Sequence, residues 1–165
     1  MVICEYLDDI SGNGATYSAE QRAACRLWAS LMPGWFAYIA IIKADPGSKD
    51  EEAALKELRD GLHAANAFLA TRPEADSGPF LLGERFSLAE VATAPFAQRF
   101  MTVLPGTRPT VDPRQILEEE GLFRLSTWLT AVCTRPSCME TIAPTAELVE
   151  SYKALLMRMK AISAP

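Results

Sequence analysis

The sequence predicts an all-α helical bundle, and three observations support that prediction. Alanine occurs 25 times and leucine 18 times against 6 valines, which favours helix because valine loses side-chain freedom in a helix whereas alanine loses none. Ser and Asp stand where they can cap helix starts. Apolar residues recur between these caps at steps of three and four. With 165 residues, 49% of them hydrophobic, the chain fits one globular domain.

The first two long helices are predicted on either side of the Asp45-Pro46-Gly47 turn. One is expected over residues 18–43, beginning at a Ser18 cap and kinked at Pro33-Gly34. The next is expected over residues 48–70, before Thr71. Its apolar residues fall on one face: Ala54, Leu55, Leu58, Leu62, Ala65 and Leu69.

A loop over residues 72–85 precedes the clearest helix start of the chain. Ser87 and Glu90 have the spacing of a capping box, in which each side chain bonds the other residue's backbone amide. Phe86 and Val91 occupy the positions of a hydrophobic staple. This device is worth about 1 kcal/mol or more, so the pattern predicts a firmly fixed helix start.

The last third of the chain is predicted to hold three helices and one helical turn. Asp112-Pro113 begins a short helix that Gly121 ends. Further helices are expected over residues 122–133 and from Thr145 to about Ile162. Pro136 begins the turn between them, which runs to Thr141.

Composition excludes several classes of function. The 16 basic and 21 acidic side chains give a net charge of -5, so nucleic acids and anionic membranes are poor partners. The longest apolar stretch, residues 27–42, is shorter than the ~20 residues that span a bilayer. Residues 1–10 carry three acids and do not resemble a secretion signal. We expect no membrane partner and a cytoplasmic protein.

The thiols and the single histidine are expected to be structural. Four cysteines without CxxC spacing indicate a reducing compartment and no zinc site: Cys4, Cys25, Cys133 and Cys138. A catalytic thiol at Cys4 or Cys25 and a redox pair of Cys133 with Cys138 are the alternatives, and inert packing is favoured. His63 is expected on a partly exposed helix face, without a metal. Glu118-Glu119-Glu120 is expected to be a solvated face.

Three segments together resemble the all-helical C-terminal domain of the cytosolic glutathione transferase family. The most specific is GPFLLGERFSLAEV at 78–91, followed by Ala94-Pro95-Phe96. Residues 128–144, with Arg135-Pro136-Ser137, are similar to the family's late helix and its Arg-Pro turn. Residues 2–9 look like the last helix of the family's thioredoxin-like domain. The resemblance implies that residues 1–10 are a remnant of that domain and that residues 11–165 form the helical domain.

The resemblance covers only the second half of the family's architecture. The thioredoxin-like domain supplies the catalytic Ser, Tyr or Cys, the cis-proline and the Glu-Ser pair that hold glutathione, and this chain has no counterpart of those positions. Two interpretations are open. The chain is a truncated form of a two-domain transferase, or it is a lone helical domain that works differently.

The resemblance also implies where ligands would bind. Residues of the first long helix and one residue near the C-terminus are expected to line a site for a small hydrophobic electrophile: Trp28, Met32, Trp35, Phe36, Tyr38 and Met157. Three cations are candidates for a carboxylate of glutathione or substrate: Arg22, Arg26 and Arg99. Core packing for the rings and surface ion pairs for the arginines are the alternatives.

The implied function is a glutathione transferase-like enzyme with glutathione as co-substrate. It would add glutathione to the electrophile, or add and eliminate it so that a double bond is isomerised, and we expect a homodimer formed through the first two long helices. The competing interpretation is a non-catalytic module that carries a ligand or assembles with other proteins. The sequence assigns no catalytic residue.

Overall fold

In the computed structural model, the structure describes residues 2–12, 17–35 and 37–163, with side chains for all of these except 32–35 and 160–163. The described residues form helices and no strand; two isolated bridges lie in the loop before the fifth helix. The all-α prediction is confirmed. The helices are α1 (Val2–Ile10), α2 (Ala19–Trp35), α3 (Ala37–Lys43), α4 (Lys49–Ala70), α5 (Leu88–Thr107), α6 (Pro113–Glu119), α7 (Phe123–Thr134), α8 (Pro136–Met139) and α9 (Thr145–Ser163).

Helix α5 is the centre of the bundle. It packs against α1, α2, α3, α6, α7 and α9, while α2 and α3 also pack on α4. Its buried residues include Leu88, Ala94, Phe100 and Leu104. A helix that is apolar on most sides belongs in a core, because each face then meets another element.

The predicted first long helix is described as α2 and α3, on either side of residue 36, which lies outside the described residues. Its start is confirmed: the Ser18 amide donates to Oε1 of Gln21, and the Gln21 amide donates to Oγ of Ser18, both at 3.1 Å. This reciprocal pair is a capping box with Gln in the third position.

Helix α4 agrees with its prediction at both ends. Ser48 accepts a hydrogen bond from the Glu51 amide, and Thr71 follows the last residue. The predicted apolar face is buried at Ala54, Leu58, Leu62, Ala65 and Leu69, whereas Leu55 is half-buried. The spacing of three and four residues therefore located the core-facing stripe correctly.

The later helices begin and end within one or two residues of their predicted bounds. Asp112 caps α6 through the Arg114 amide, and Gly121 adopts a φ of +66° directly after it. Helix α9 crosses α5 at Gly106, where an added Cβ would stand 2.4 Å from Cγ2 of Val149. That contact requires glycine. Among the described residues, no helix combines the length and the apolar character that crossing a bilayer needs.

Candidate functional site

The buried carboxylate of Glu90 joins three segments near the candidate sites by hydrogen bonds. Oε1 of Glu90 accepts hydrogen bonds from the Leu81 amide and from Nε1 of Trp128, each at 2.8 Å. Oε2 accepts from the Ser87 amide at 2.8 Å and from the Ser87 hydroxyl at 2.7 Å. The predicted capping box is confirmed, and the same carboxylate also ties the preceding loop and α7 to the start of α5. Four donors compensate a carboxylate that has no exposed surface.

The loop before α5 is also held by hydrogen bonds from Arg124. The guanidinium of Arg124 donates from Nη1 to the Pro79 carbonyl at 2.9 Å and from Nη2 to the Phe80 carbonyl at 2.8 Å. Burial lowers the pKa of Arg124. The ring of Phe86 meets that of Phe80 edge-on at 5.3 Å and carries the Arg135 guanidinium at 4.0 Å. The staple partner Val91 is half exposed.

One cleft of about 500 Å³ opens between α1, Tyr17 and the start of α5; we call it the Tyr17 cleft. The Arg85 guanidinium lies 3.8 Å from the centre of the Tyr17 ring. Burial raises the pKa of Tyr17, against the opposing effects of Arg85 and of a hydrogen bond with the Leu88 backbone. The cleft is also lined by Cys4, Leu7, Asp8, Ser11, Ser87 and Val91. Charged, aromatic and apolar groups thus share one hollow.

A second cleft, of about 360 Å³, lies between α5, α9 and the segment that joins α8 to α9; we call it the Arg99 cleft. Pro95, Gln98 and Arg99 form one wall, and Ile142 and Leu148 stand on the other. The side-chain amide of Gln98 donates to the Cys138 carbonyl at 3.1 Å, which holds α8 against α5. The cleft therefore combines apolar walls with one predicted cation.

The predicted aromatic wall is described in part. Trp28 has no exposed surface; its Nε1 donates to Oγ1 of Thr93 at 3.2 Å, and its ring meets that of Trp128 edge-on at 4.8 Å. Tyr38 is also buried, with its ring 6.1 Å from that of Phe100. Burial raises the pKa of Tyr38, Tyr152 adds to the shift and Arg99 opposes it. These contacts are those of core residues, and a ligand role for Trp28 and Tyr38 stays a prediction.

The contacts of the other predicted wall residues are not described, or are few. The side chains of Met32 and Trp35 and the whole of Phe36 lie outside the described residues. Met157 is 72% exposed on α9. Their pocket role is therefore untested.

The predicted cations Arg22 and Arg26 contact acids of α1. Nε of Arg26 lies 2.6 Å from Oε1 of Glu5, and Nη1 of Arg22 lies 3.4 Å from Oδ1 of Asp9. The hydrogen bond with Glu5 raises the pKa of Arg26. The two pairs join α1 to α2 along one side.

The apolar side of α1 faces solvent. The helix buries none of its residues. More than half of the surface of each apolar residue on that side is exposed: Val2, Ile3, Tyr6, Leu7 and Ile10. Leu27 and Val91 add exposed apolar surface on α2 and α5. We call this set the α1 face.

The thiols have the environments of packing residues, except for Cys4. Cys25 is buried, with Sγ 3.7 Å from Oγ of Ser87, and burial raises its pKa. Burial also raises the pKa of Cys133 to about 11, and Cys138 is buried. Cys4 is half-buried in the wall of the Tyr17 cleft. In the part of the chain that the structure describes, all four cysteines are free.

His63 is half exposed, as expected, and its Nε2 lies 2.9 Å from Oε2 of Glu120. Arg59 contacts the other oxygen of that carboxylate at 3.0 Å. The acidic run of α6 therefore ends in an ion-pair cluster on α4. Within residues 2–12, 17–35 and 37–163, no group of His, Cys, Asp and Glu could hold a metal ion.

Comparison with known proteins shows what the bundle is similar to. Residues 52–131 match the family model described as glutathione S-transferase, C-terminal domain. The fold superposes with a TM-score of 0.74 on the structure titled Leishmania TDR1, a unique trimeric glutathione transferase, at 25% sequence identity over 94% of this chain. The chain therefore forms a helical domain like the C-terminal domain of glutathione transferases. No curated protein sequence matches it significantly.

The chain spans 33% of the length of the Leishmania glutathione transferase that it matches. The matched residues 52–131 include Glu90, its hydrogen-bond partners and all of α5. This part of the glutathione transferase-like domain is therefore the part that the family model matches. Helix α1 and the ion pairs of Arg22 and Arg26 lie outside the matched range.

Sequence reasoning missed Tyr17 and Arg85, which meet in a cleft of the glutathione transferase-like domain. Tyr17 directly precedes the Ser18 cap, and Arg85 lies two residues before the Ser87 cap. A signal was present, because residues that precede two caps meet when the two helices start at the same end of a bundle. The sequence did not show that α2 and α5 share an end.

Proposed function

We propose that the chain is the helical half of a glutathione transferase-like protein that acts on a small hydrophobic electrophile with glutathione as co-substrate. Residues 1–10 would be the end of a thioredoxin-like half, and residues 11–165 the helical domain. One observation carries this proposal: the α1 face is apolar and directed outward while its acidic side is ion-paired to the body.

A helix packed this way needs a covering body. Apolar surface costs roughly 25 cal/mol per Å² when it stays in water, and extended exposed patches mark interfaces. Because residues 2–9 resemble the end of a thioredoxin-like domain, such a domain is the covering body that we propose. Arg22 and Arg26 would then hold α1 in register rather than contact glutathione.

We place the electrophile in the Arg99 cleft. Its volume falls within the range of small-molecule sites, and Pro95, Ile142 and Leu148 provide apolar contact. The Arg99 guanidinium would bind a carboxylate of glutathione or of the substrate, since its planar fork matches that geometry. Met157 lies farther along α9 and would extend the wall.

The reaction that fits such a site is thiol addition to an activated alkene. A C–S bond forms as the glutathione thiolate attacks, and the carbon-carbon double bond becomes a single bond that rotates freely. Retention of the adduct is conjugation, whereas expulsion of the thiolate restores the double bond in the other geometry. The helical half would orient the electrophile and exclude water, and we assign it no catalytic residue.

A homodimer formed through α2 and α4 is part of the proposal. These helices pack against each other and were expected to form the subunit contact. The Leishmania relative is titled trimeric, so sedimentation analysis of the chain would decide between the two states.

The competing function is a non-catalytic module that carries a ligand or assembles with other proteins. It is favoured by the exposure of the α1 face, because extended exposed apolar patches also mark surfaces on which other proteins dock. A carrier would bind the hydrophobic ligand without needing glutathione.

Calorimetric titration of the whole chain tests the proposal. Glutathione and S-hexylglutathione would be titrated separately, and binding between the micromolar and low millimolar range, about -8 to -4 kcal/mol, is expected for the conjugate. Arg99→Gln should weaken that binding about tenfold, whereas the exposed Arg114→Gln should not. Absence of heat at several temperatures, with a folded chain, would contradict a ligand site in the Arg99 cleft of this chain alone and leave a carrier, a scaffold or half of an enzyme.

A further inference from the structure

A further cleft, of about 360 Å³, opens between α5, α6 and α7. We call it the Phe123 cleft, after a ring in its wall that is 71% exposed. The floor is apolar, because Leu117 and Leu129 are buried and Met101 is half-buried. The cleft shares no described lining residue with the Arg99 cleft or with the α1 face. A ligand here would therefore be additional to the proposed electrophile.

Two opposite charges on α6 line the Phe123 cleft, and neither side chain has a partner among the described residues. Arg114 and Glu118 are exposed and lie one helical turn apart, yet they do not pair with each other. Arginine followed by glutamate is the less favourable order for such a pair. The neighbouring acids are engaged, because Glu119 accepts a hydrogen bond from Gln115 at 2.7 Å and Glu120 belongs to the ion-pair cluster on α4. The two charges in the cleft wall thus remain available to a ligand.

The two charges lie toward opposite ends of the cleft. Glu118 and Phe123 flank the turn that joins α6 to α7, where the Gly121 amide donates to the Glu118 carbonyl at 3.1 Å. Arg114 lies one turn earlier on α6 and acts on Cys133 near the end of α7. Burial raises the pKa of that thiol, and Arg114 opposes the shift. A carboxylate beside an aromatic ring suits an ammonium group, whereas a guanidinium suits a carboxylate.

Two hydroxyls on the α7 wall add hydrogen-bond donors. Elsewhere in α5 and α7 the threonine hydroxyls bond the carbonyl four residues back, as in Thr127 and Thr134. The hydroxyls of Ser126 and Thr130, which line the cleft, form no hydrogen bond with a described residue. They can therefore donate to a carboxylate of a ligand.

We propose that the Phe123 cleft binds a linear zwitterion, an ω-amino acid whose carboxylate pairs with Arg114 and whose ammonium pairs with Glu118. Four residues of helix rise by roughly 6 Å, which sets the spacing of the two charges in the wall. An ω-amino acid such as 5-aminovalerate spans a similar distance in its extended form. Its methylenes would cover Leu117 and Leu129, and its ammonium would lie beside the Phe123 ring.

Amide shifts of the ¹⁵N-labelled whole chain, titrated with 5-aminovalerate, test the site. We expect saturable shifts at Glu118, Phe123 and Thr130, with a dissociation constant in the millimolar range. Pentanoate lacks the ammonium and pentylamine lacks the carboxylate, so each should bind about three- to tenfold more weakly because it loses one charged contact. No saturable shift in the folded chain, or equal binding of the three compounds, would overturn the proposal.

L-Norvaline tests the spacing, because it is an isomer of 5-aminovalerate with both charges on one carbon. It spans less than the distance between Arg114 and Glu118, so it should bind at least about threefold more weakly. S-hexylglutathione carries two carboxylates, one of which Glu118 would repel, and should not displace 5-aminovalerate. Equal affinity for norvaline would contradict the spacing, and displacement by S-hexylglutathione would contradict a site separate from the Arg99 cleft.

Matched variants separate the two charges from general effects. Arg114→Gln and Glu118→Gln should each weaken 5-aminovalerate binding about three- to tenfold. Arg158→Gln and Glu57→Gln, exposed and outside the cleft, should leave it unchanged. Thermal unfolding verifies that each variant is folded. Unchanged affinity in folded Arg114→Gln or Glu118→Gln would contradict the assignment.

Phe123→Leu tests the aromatic contribution, because it keeps an apolar side chain and removes the ring. It should weaken the binding of 5-aminovalerate and pentylamine, which carry the ammonium, more than that of pentanoate. An equal loss for all three compounds would mean that the ring gives only apolar contact and would contradict the placement of the ammonium beside it.

Discussion

The start of α5 and helix α1 are attached to the domain in opposite ways. At α5 a buried carboxylate collects four hydrogen bonds from the loop, from its own cap and from α7. Helix α1 is held by two exposed or half-exposed ion pairs and turns its apolar residues outward. Exposed ion pairs contribute little, about 0–1 kcal/mol each, whereas a fully satisfied buried network rigidifies a core and specifies its packing. The domain therefore has a core joined by buried hydrogen bonds and an outer helix held mainly at the surface.

The largest expected effect follows removal of the buried carboxylate at the start of α5. Glu90→Ala would leave the Leu81 amide, the Ser87 amide and Nε1 of Trp128 buried without an acceptor. We expect a loss of about 3–5 kcal/mol in the free energy of unfolding, measured by urea titration. Glu118→Ala, on the exposed side of α6, is the matched control and should change it by less than about 0.5 kcal/mol. If Glu90→Ala lowered the free energy of unfolding by less than about 1 kcal/mol, Glu90 would not be what joins the loop, α5 and α7.

The next effect concerns the contact between α5 and α9. Gly106→Ala would place a Cβ 2.4 Å from Cγ2 of Val149, so we expect a loss of about 1–3 kcal/mol. Val149→Ala in the same chain should restore part of it, because it removes the clashing methyl group. A double-mutant cycle by thermal unfolding measures this coupling. If the two substitutions changed the free energy of unfolding additively, Gly106 and Val149 would not be in direct contact.

A smaller effect is expected on the α1 side. Tyr6→Ser should change the free energy of unfolding by less than about 0.5 kcal/mol, since Tyr6 is 62% exposed. It should reduce binding of the dye ANS, which reports exposed apolar surface. Leu58→Ala, a buried counterpart on α4, should cost about 2–5 kcal/mol. Comparable losses in Tyr6→Ser and Leu58→Ala would mean that α1 is packed after all.

The smallest effect is electrostatic. The hydrogen bond with His63 is the main cause that lowers the pKa of Glu120, and Arg59 adds to it. Because the folded value lies below the ordinary one, the stabilisation is present above the ordinary pKa and is lost as the pH falls through the lowered value. His63→Gln should raise the pKa of Glu120 toward its ordinary range, as followed by carboxyl NMR titration. An unchanged pKa would assign the shift to Arg59.

Local patterns predicted most of the fold. The caps at Ser18, Ser48 and Ser87 located three helix starts, and the apolar spacing of α4 identified its buried stripe, because these features depend on neighbours within one helical turn. The partners of Glu90 beyond its own cap were not predictable, since Trp128 meets it only after α7 packs on α5.

The candidate sites were less predictable for the same reason. The sequence predicts Arg22 and Arg26 as cations near a ligand, but their described partners are acids of α1, thirteen and twenty-one residues away. The Tyr17 cleft arises where α1, the start of α2 and the start of α5 converge. Sequence alone gives the residues of such a site but not the end of the bundle at which each helix begins.

Native-state hydrogen exchange of the whole chain tests the difference between α1 and α5 most directly. We expect amides in the middle of α5 and α7 to exchange only through global unfolding, with the full free energy of unfolding, whereas the amides of α1 should exchange through a local opening that costs several kcal/mol less. Equal protection of α1 and α5 would contradict the division of the domain into a core joined by buried hydrogen bonds and an outer helix held mainly at the surface.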